Sequence, residues 1–458
     1  MSAYRADPRF AGFDGSGTTV AVIDTGIDVN SSFFGPDRNG DGVSDRIVYQ
    51  YDFADHDGDA SDRSGHGSNV SSIIAGSDAT YGGVAPGADI VALKVFSDNG
   101  AGYFAYVEQA LQWVVANAAA YHISVVNLSL GDGADWTTAS SRYGLGDEFA
   151  ALASEGVIVV AAAGNGFYSF GSQPGVSYPA SDPNVLAVGA VWSGDYGGPW
   201  RFANGATDAT TGADRIASFS QRGDQVDVFA PGARLTGANA TGGLSTMQGT
   251  SQASAYFAGV AALAQELAES HLGRLLTPQE FVGLVKTTSD RIVDGDDEND
   301  NVANSGASYG RVNVERLATA IMALTPAAGG GSGSGTNPGA GTPSTPTRSL
   351  SGHALTIGTG DHVTGIDFGA FRLGTIAGST ISDADKDGVR DAGEMGVSGR
   401  TVFLDADGDN VFDAGERSTI TAADGSFSFA DIGPGLIMSG RCCRQALSRP
   451  DAPAPTSR

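Results

Sequence analysis

From Thr19 to Leu324 the apolar and polar positions fall into blocks that alternate between strand and helix patterns. Thr19 to Ile23, TVAVI, is continuously β-branched and apolar, and it halts at Asp24-Thr25-Gly26. A short run without polar interruption suits a strand buried on both faces, as in a parallel sheet. Gly83 to Phe96 reads as a turn followed by a strand, and Ile123 to Leu130 and Gly156 to Ala163 read as two more. Tyr103 to Ala119 carries Phe104, Val107, Leu111, Val114 and Val115 along one helical face. Tyr178-Pro179-Ala180 and Val185 to Ala190 are expected to continue the sheet edge, with Ala217 to Ser220 and Val226 to Pro231 after them. Gly310 to Asn313 and a helix over Glu315 to Leu324 then close the domain. This alternation predicts an α/β fold with a parallel sheet covered on both faces.

One further stretch, Ser251 to Ser270, organises the others. Its first turns hold almost only small side chains, Ala253, Ala255, Ala258, Gly259, Ala261 and Ala262. Such a helix lets neighbouring backbone approach closely and belongs in a core. Ser251 falls at its N-terminus, where unpaired N–H groups favour developing negative charge. Taken alone, Thr250 or Ser251 reads as an N-cap before it reads as a nucleophile.

The texture breaks at Thr325 to Thr347, a Gly/Ser/Pro/Thr linker that cannot pack a core. Domain boundaries are therefore expected at 1–324, 325–347 and 348–436, with an atypical tail at 437–458. Short alternating strands are expected at Thr375 to Ile381, Arg400 to Leu404, Ser418 to Thr421 and Ser426 to Ala430. Between them, Asp383, Asp385, Asp387, Asp391 and Glu394 occupy every liganding position of a twelve-residue calcium loop. Asp405, Asp407, Asp409, Asp413 and Glu416 repeat the pattern. The tail holds four Arg and one Asp, and it reads as a frame error or truncated gene end that removes an expected last strand.

Charge and cysteine content narrow the classes. The formal net charge is −26 over 458 residues, which makes a poor nucleic-acid binder. The acidity comes in short Asp clusters, which point to calcium more than to disorder; Asp37 to Asp45 and Asp55, Asp57, Asp59 and Asp62 are two more, open equally to a metal loop and to a plain solvated loop. No apolar run approaches ~18 residues, so no membrane span is expected. Met1 to Asp14 has no signal-peptide core, and the adjacent Cys442 and Cys443 do not settle the redox compartment.

Candidate chemistry lies at four points. Asp24 ends a strand, where open α/β sheets place their sites. Asp-Thr-Gly is also an aspartic-protease signature, but the second copy that class needs is missing. His66 stands between Gly65 and Gly67, with room to be approached, and Asn165 follows Ala161-Ala162-Ala163-Gly164. With Ser251 the chain order is Asp, His, Ser, one of the three orders known for the catalytic triad.

The blocks VAVIDTGID, GHGS, AAAGNG and GTSQAS resemble the signature blocks of subtilisin-like serine proteases, from about Gly15 to Leu324. The resemblance implies a doubly wound parallel sheet and peptide-bond hydrolysis. It assigns Ser251 as nucleophile, His66 as general base, Asp24 as its orienting acid and Asn165 as oxyanion donor. Ser129, Leu130 and Gly131, with Ala162, Ala163 and Gly164, would line the substrate cleft as extended backbone. The chain departs from the usual blocks: Ser68 and Asn69 replace the Thr and His of H-G-T-H. Gln252, Ala255 and Tyr256 replace the Met, Pro and His of G-T-S-M-A-x-P-H. The family's signal and pro-segment are not in this chain, so the true start lies upstream or the chain is written as a mature form.

Ser351 to Gly435 resembles the calcium-binding B-type domains of serine–aspartate-repeat surface proteins, which implies a smaller C-terminal β-sandwich. The expectation is a secreted or surface-associated, calcium-binding serine endopeptidase that acts on protein or peptide substrates. The competing expectation is an adhesion or scaffold protein whose protease-like domain only binds.

Overall fold

The computed structural model describes residues 1–325, 374–380, 382, 395–403, 418–432 and 444–445. The chain divides into two units, Met1–Ser332 and Gly333–Arg458.

The first unit opens with α1 (Ser2–Ala6), β1 (Thr19–Asp24), β2 (Ile47–Asp52), α2 (His66–Ala75) and β3 (Asp89–Lys94). α3 (Phe104–Asn117), β4 (Ile123–Leu128), α4 (Gly146–Ser154), β5 (Ile158–Ala162) and β6 (Leu186–Trp192) follow. A small hairpin, β7 (Trp200–Arg201) and β8 (Thr207–Asp208), precedes β9 (Val228–Ala233) and a second hairpin, β10 (Leu235–Ala238) and β11 (Leu244–Met247). The unit ends with α5 (Thr250–Leu272), α6 (Pro278–Thr288), β12 (Asp290–Val293), β13 (Ser308–Arg311) and α7 (Val314–Met322).

Nine strands form one sheet in the order β12-β13-β9-β6-β5-β4-β1-β3-β2. All neighbours are parallel except β12 and β13 at one edge. From β1 the chain runs to β2 at the edge, returns to β3 between the two, then crosses to β4 on the other side of β1 and builds the other way. The reversal between β1 and β4 opens a crevice at their carboxyl ends, the place where such sheets bind ligands.

Period-two alternation sends the strand residues to two cores. Val20, Val22, Ile90, Ala92, Val125 and Val160 face the layer of α2 and α5. Ala21, Ile23, Val91, Leu93, Val126 and Val159 face the layer of α3 and α4. Both faces of the sheet are covered by apolar layers, which accounts for strands apolar at every position.

The buried helix expected around Ser251 is α5, and Ala253, Ala255, Ala258, Ala261 and Ala262 are all 0% exposed. At Gly259 a Cβ would stand 2.7 Å from the Val84 Cβ and 3.2 Å from the Ile74 carbonyl oxygen. The small residues therefore set how closely α5 approaches α2 and the turn that follows it.

Tyr178-Pro179-Ala180, expected to continue the sheet edge, and Ala217 to Ser220, expected after it, are turns. Tyr178-Pro179-Ala180 is buried beside the strand ends, where the Tyr178 carbonyl accepts from the Asp132 N–H at 2.9 Å. Ala217 to Ser220 is likewise a turn, tied to β6 by the Ala217 N–H on the Ala190 carbonyl at 3.0 Å. Their apolarity reflects burial without a strand period. β2, α4 and α6 escape the pattern reading, although Thr277-Pro278-Gln279-Glu280 spells the capping box that starts α6.

In the second unit, β14 (Gly374–Ser379) pairs antiparallel with β17 (Ser426–Ile432). β15 (Thr401–Phe403) pairs with β16 (Ser418–Ile420) and with β18 (Arg444–Gln445). Loops 383–394 and 405–416, with all ten expected calcium ligands, lie outside the described residues, as do Cys442 and Cys443.

Gly259→Ala tests the packing of α5. Helix propensity alone favours Ala by about 1 kcal/mol, whereas overpacking a full core costs about 1–3 kcal/mol. A net loss of about 1 kcal/mol in denaturant unfolding is expected, and a gain would show that the approach is not tight.

Candidate active site

Asp24 closes β1 beside the sheet reversal and is 1% exposed. Its Oδ1 accepts from the Thr25 N–H and lies 2.7 Å from His66 Nδ1. A carboxylate only accepts, so Nδ1 carries the proton and Nε2 is left as the basic nitrogen. His66 begins α2 immediately after Gly65, whose φ of 85° is the left-handed turn that starts the helix. Gly67 must also be glycine, because a Cβ there would stand 2.1 Å from the Gly26 carbonyl oxygen.

Asp62, which the sequence offers only as one of an acidic cluster, supports this corner. Its carboxylate accepts five hydrogen bonds, from Thr25 Oγ1, the N–H groups of Ser64, Gly65 and Ser68, and Ser68 Oγ. Thr25 Oγ1 in turn accepts from the Gly67 N–H at 2.9 Å. The loop before His66 and the loop after Asp24 are thus pinned to one buried anion. Ser68, one of the departures from the usual block, supplies a hydroxyl to that anion and accepts from the Asp28 N–H.

Ser251 lies in the first turn of α5, half-buried, and its hydroxyl donates to the Ser129 carbonyl at 3.1 Å. It makes no hydrogen bond to His66 in this state. Ser129 is held in place because its own Oγ donates to the Ser251 carbonyl and meets Ser254 Oγ and the Asn127 amide. Asn165 Oδ1 accepts from the Thr250 N–H at 2.9 Å and from Thr250 Oγ1 at 3.1 Å. That fixes the amide orientation and leaves Nδ2, which has no partner among the described residues, free to donate.

The six residues expected to line the cleft differ in what they have left to offer. The Leu130 and Gly131 backbones make no hydrogen bond among the described residues. Ala162 and Ala163 are buried, and the Ala163 backbone is engaged by Val188 and Ser177. Gly164 donates to Thr250 Oγ1 and accepts from the Gln221 N–H. A Cβ on Gly164 would lie 2.0 Å from Gln221 Oε1, and one on Gly131 would lie 2.7 Å from Ser177 Oγ.

Carboxylates in the other acidic loops have partners within the protein. Asp37 accepts from the Gly40 and Gly42 N–H groups, and Asp45 from the Arg38 N–H. Asp52, Asp55 and Asp98 converge, with oxygens within 4.8 Å of one another. Their cation is Lys94, 1% exposed, with Nζ at 2.7 Å from Asp52, 3.3 Å from Asp98 and 3.8 Å from Asp55. That ammonium would repel a divalent ion, so the donor set does not fit one. A second triplet, Asp296, Asp297 and Glu298, gives Asp297 to Arg215 at 3.2 Å.

Opposing effects act on His66. Burial lowers its pKa, while the charge and hydrogen bond of Asp24 and the charge of Asp62 raise it, and the net direction is up. By NMR the ring should therefore titrate above the ordinary ~6.5. Asp24→Asn removes the main opposing charge and should drop the midpoint below the wild-type value. An unmoved midpoint would mean that Asp24 does not set the charge of this ring.

Residues 15–310 match the subtilase family model. Alkaline serine exoprotease A of Vibrio alginolyticus is 37% identical over 254 residues, covering 55% of this chain and 39% of that protein. Subtilisin E of Bacillus subtilis (strain 168) is 34% identical over 259 residues, covering 55% of this chain and 56% of its own length. A solved structure described as a cold adapted subtilisin-like serine proteinase aligns with a TM-score of 0.47 at 34% identity, over 61% of this chain and 84% of that one. The matches span about two fifths to just over half of these two curated relatives. The match over residues 15–310 shows that the chain belongs to the subtilase family.

Proposed function

We propose that the chain is a serine endopeptidase that cleaves peptide bonds with Ser251, His66, Asp24 and Asn165. The observation that carries this reading is the 2.7 Å Asp24–His66 pair, with Asn165 oriented by Thr250 so that its Nδ2, without a partner among the described residues, is left to donate.

The substrate would lie extended along the open Leu130-Gly131 backbone, as an added strand. Ser251 Oγ turns from the Ser129 carbonyl toward His66 Nε2, gives up its proton there and attacks the scissile carbonyl carbon. The tetrahedral oxyanion accepts from Asn165 Nδ2 and from the Ser251 N–H at the α5 terminus. Asp24 holds the tautomer and stabilises the imidazolium, which then protonates the leaving amine. Water repeats the sequence on the acyl-enzyme. The small residues of the cleft favour broad specificity, with a large apolar side chain next to the cleaved bond.

Ser251→Ala should lose nearly all hydrolysis of a fluorogenic peptide while folding is unchanged, and wild-type turnover would end the assignment. Asn165→Ala should lower kcat by roughly 10²–10³ with little change in KM, the loss that removing the oxyanion-hole asparagine causes in a subtilisin. A raised KM alone would make Asn165 a ground-state contact.

The second unit is proposed as a β-sandwich that binds calcium through loops 383–394 and 405–416. Each loop brings four Asp and one Glu into twelve residues, which repel one another without a cation. Extracellular or cell-surface placement belongs to the same reading, and no described helix is long and apolar enough to cross a membrane. The full chain should show a melting transition that rises with calcium and falls with chelator, and Glu394→Gln with Glu416→Gln should blunt the rise. Identical melting in calcium and chelator would refute the metal reading.

A further inference from the structure

Two of the positions where this chain departs from the usual subtilase blocks are bonded to each other. Asn69 lies one turn after His66 on α2, and Gln252 follows Ser251 on α5. They are 0% and 1% exposed, and Gln252 Nε2 donates to Asn69 Oδ1 at 3.3 Å. Asn69 Nδ2 donates to the Ser245 carbonyl at 3.0 Å, on the strand that runs into Ser251. A carbonyl only accepts, so the nitrogen of Asn69 must face Ser245 and its oxygen must face Gln252. The orientation of both amides follows from that one contact.

The line continues on either side. Ser72, the next turn of α2, donates to the Asn69 carbonyl and accepts from the Ala238 N–H at 2.8 Å. At the other end, a Cβ on Gly249 would stand 3.2 Å from Gln252 Oε1 and 3.4 Å from Asn165 Nδ2, so both amides border the same glycine. The two departures are complementary, since one supplies the donor and the other the acceptor. Met at 252 would leave Asn69 Oδ1 buried without a donor, which is costly.

We infer that Asn69 and Gln252 are positioning residues, a buried amide clamp that ties the helix carrying His66 to the helix carrying Ser251 and sets the distance between base and nucleophile. The inference rests on the hydrolytic reading above. Neither side chain touches substrate. Their effect is to restrict the relative motion of two helix termini, and reaction rate is steep in that separation.

The test is a double-mutant cycle on the full chain with Gln252→Met and Asn69→Leu, assayed on a fluorogenic peptide well below the melting temperature. Each single variant should lower kcat on the order of tenfold or more with KM unchanged, and the double variant should be no slower than the slower single. If Gln252→Met fails to accumulate folded, Gln252→Glu, which keeps the shape and loses the amide donor, takes its place in the cycle, and Asn69→Asp takes the place of Asn69→Leu on the same ground. Wild-type kcat in the singles, with only a lower melting temperature, would make the pair structural and overturn the inference. Losses that multiply in the double variant would overturn it as well. A wild-type chain that neither cleaves peptide nor reacts with a fluorophosphonate would remove the hydrolytic reading itself. Active wild type with equally active singles would remove the clamp alone.

Discussion

Close approach of α5 to α2 over one face of the sheet is the constraint on which the site depends. Both helices begin at the carboxyl edge of the strands, one with His66 and the other next to Ser251. Their axes can sit side by side only because α5 presents Ala and Gly, and Gly259 meets Val84 with no space for a methyl group. A larger residue there would separate the helices and the two groups at their N-termini together. Packing deep in the core and geometry at the surface are one mechanical problem here.

Buried charge is handled by giving each anion its own partners. Asp62 accepts five hydrogen bonds from the loops flanking Asp24 and His66, so it acts as a rigid post for both. Asp52 is neutralised by Lys94 from the adjacent strand β3, with Asp98 and Asp55 around the same ammonium. Removing one member of such a buried pair costs more than the pair contributes, because it strands the other charge. At Asp24, as at Glu148, Asp182 and Asp300, one carboxylate oxygen is buried without a partner among the described residues. An acid left with one oxygen unsatisfied is well placed to favour a positive charge on the neighbouring imidazole.

Much of this was legible in the chain. The apolar strand runs are visible because both sheet faces are covered, and the poverty of side chains in α5 announces its burial. Asp24, His66, Asn165 and Ser251 stand in short blocks whose glycines are required by contact, as Gly67 and Gly164 show. Strand reading failed at Tyr178, where burial comes from a turn beside the strand ends. It also missed β2, an edge strand with a half-exposed pattern. Lys94 was hidden for a different reason: its main partner, Asp52, comes from a neighbouring strand 42 positions away. Asp62 draws four of its five hydrogen bonds from residues two to six positions on, but its tie to Thr25 beside Asp24, 37 positions back, is what local pattern cannot report. The Asn69–Gln252 bond belongs to the same class, joining residues 183 positions apart.

The central claim is that Ser251 is the activated nucleophile of this site. Treating the full chain with a fluorophosphonate and mapping the adduct by peptide mass spectrometry tests it directly. A single stoichiometric adduct on Ser251, lost when His66 is replaced by Ala, is the predicted result. Modification of another serine, or none while the chain still cleaves peptide, would contradict the account.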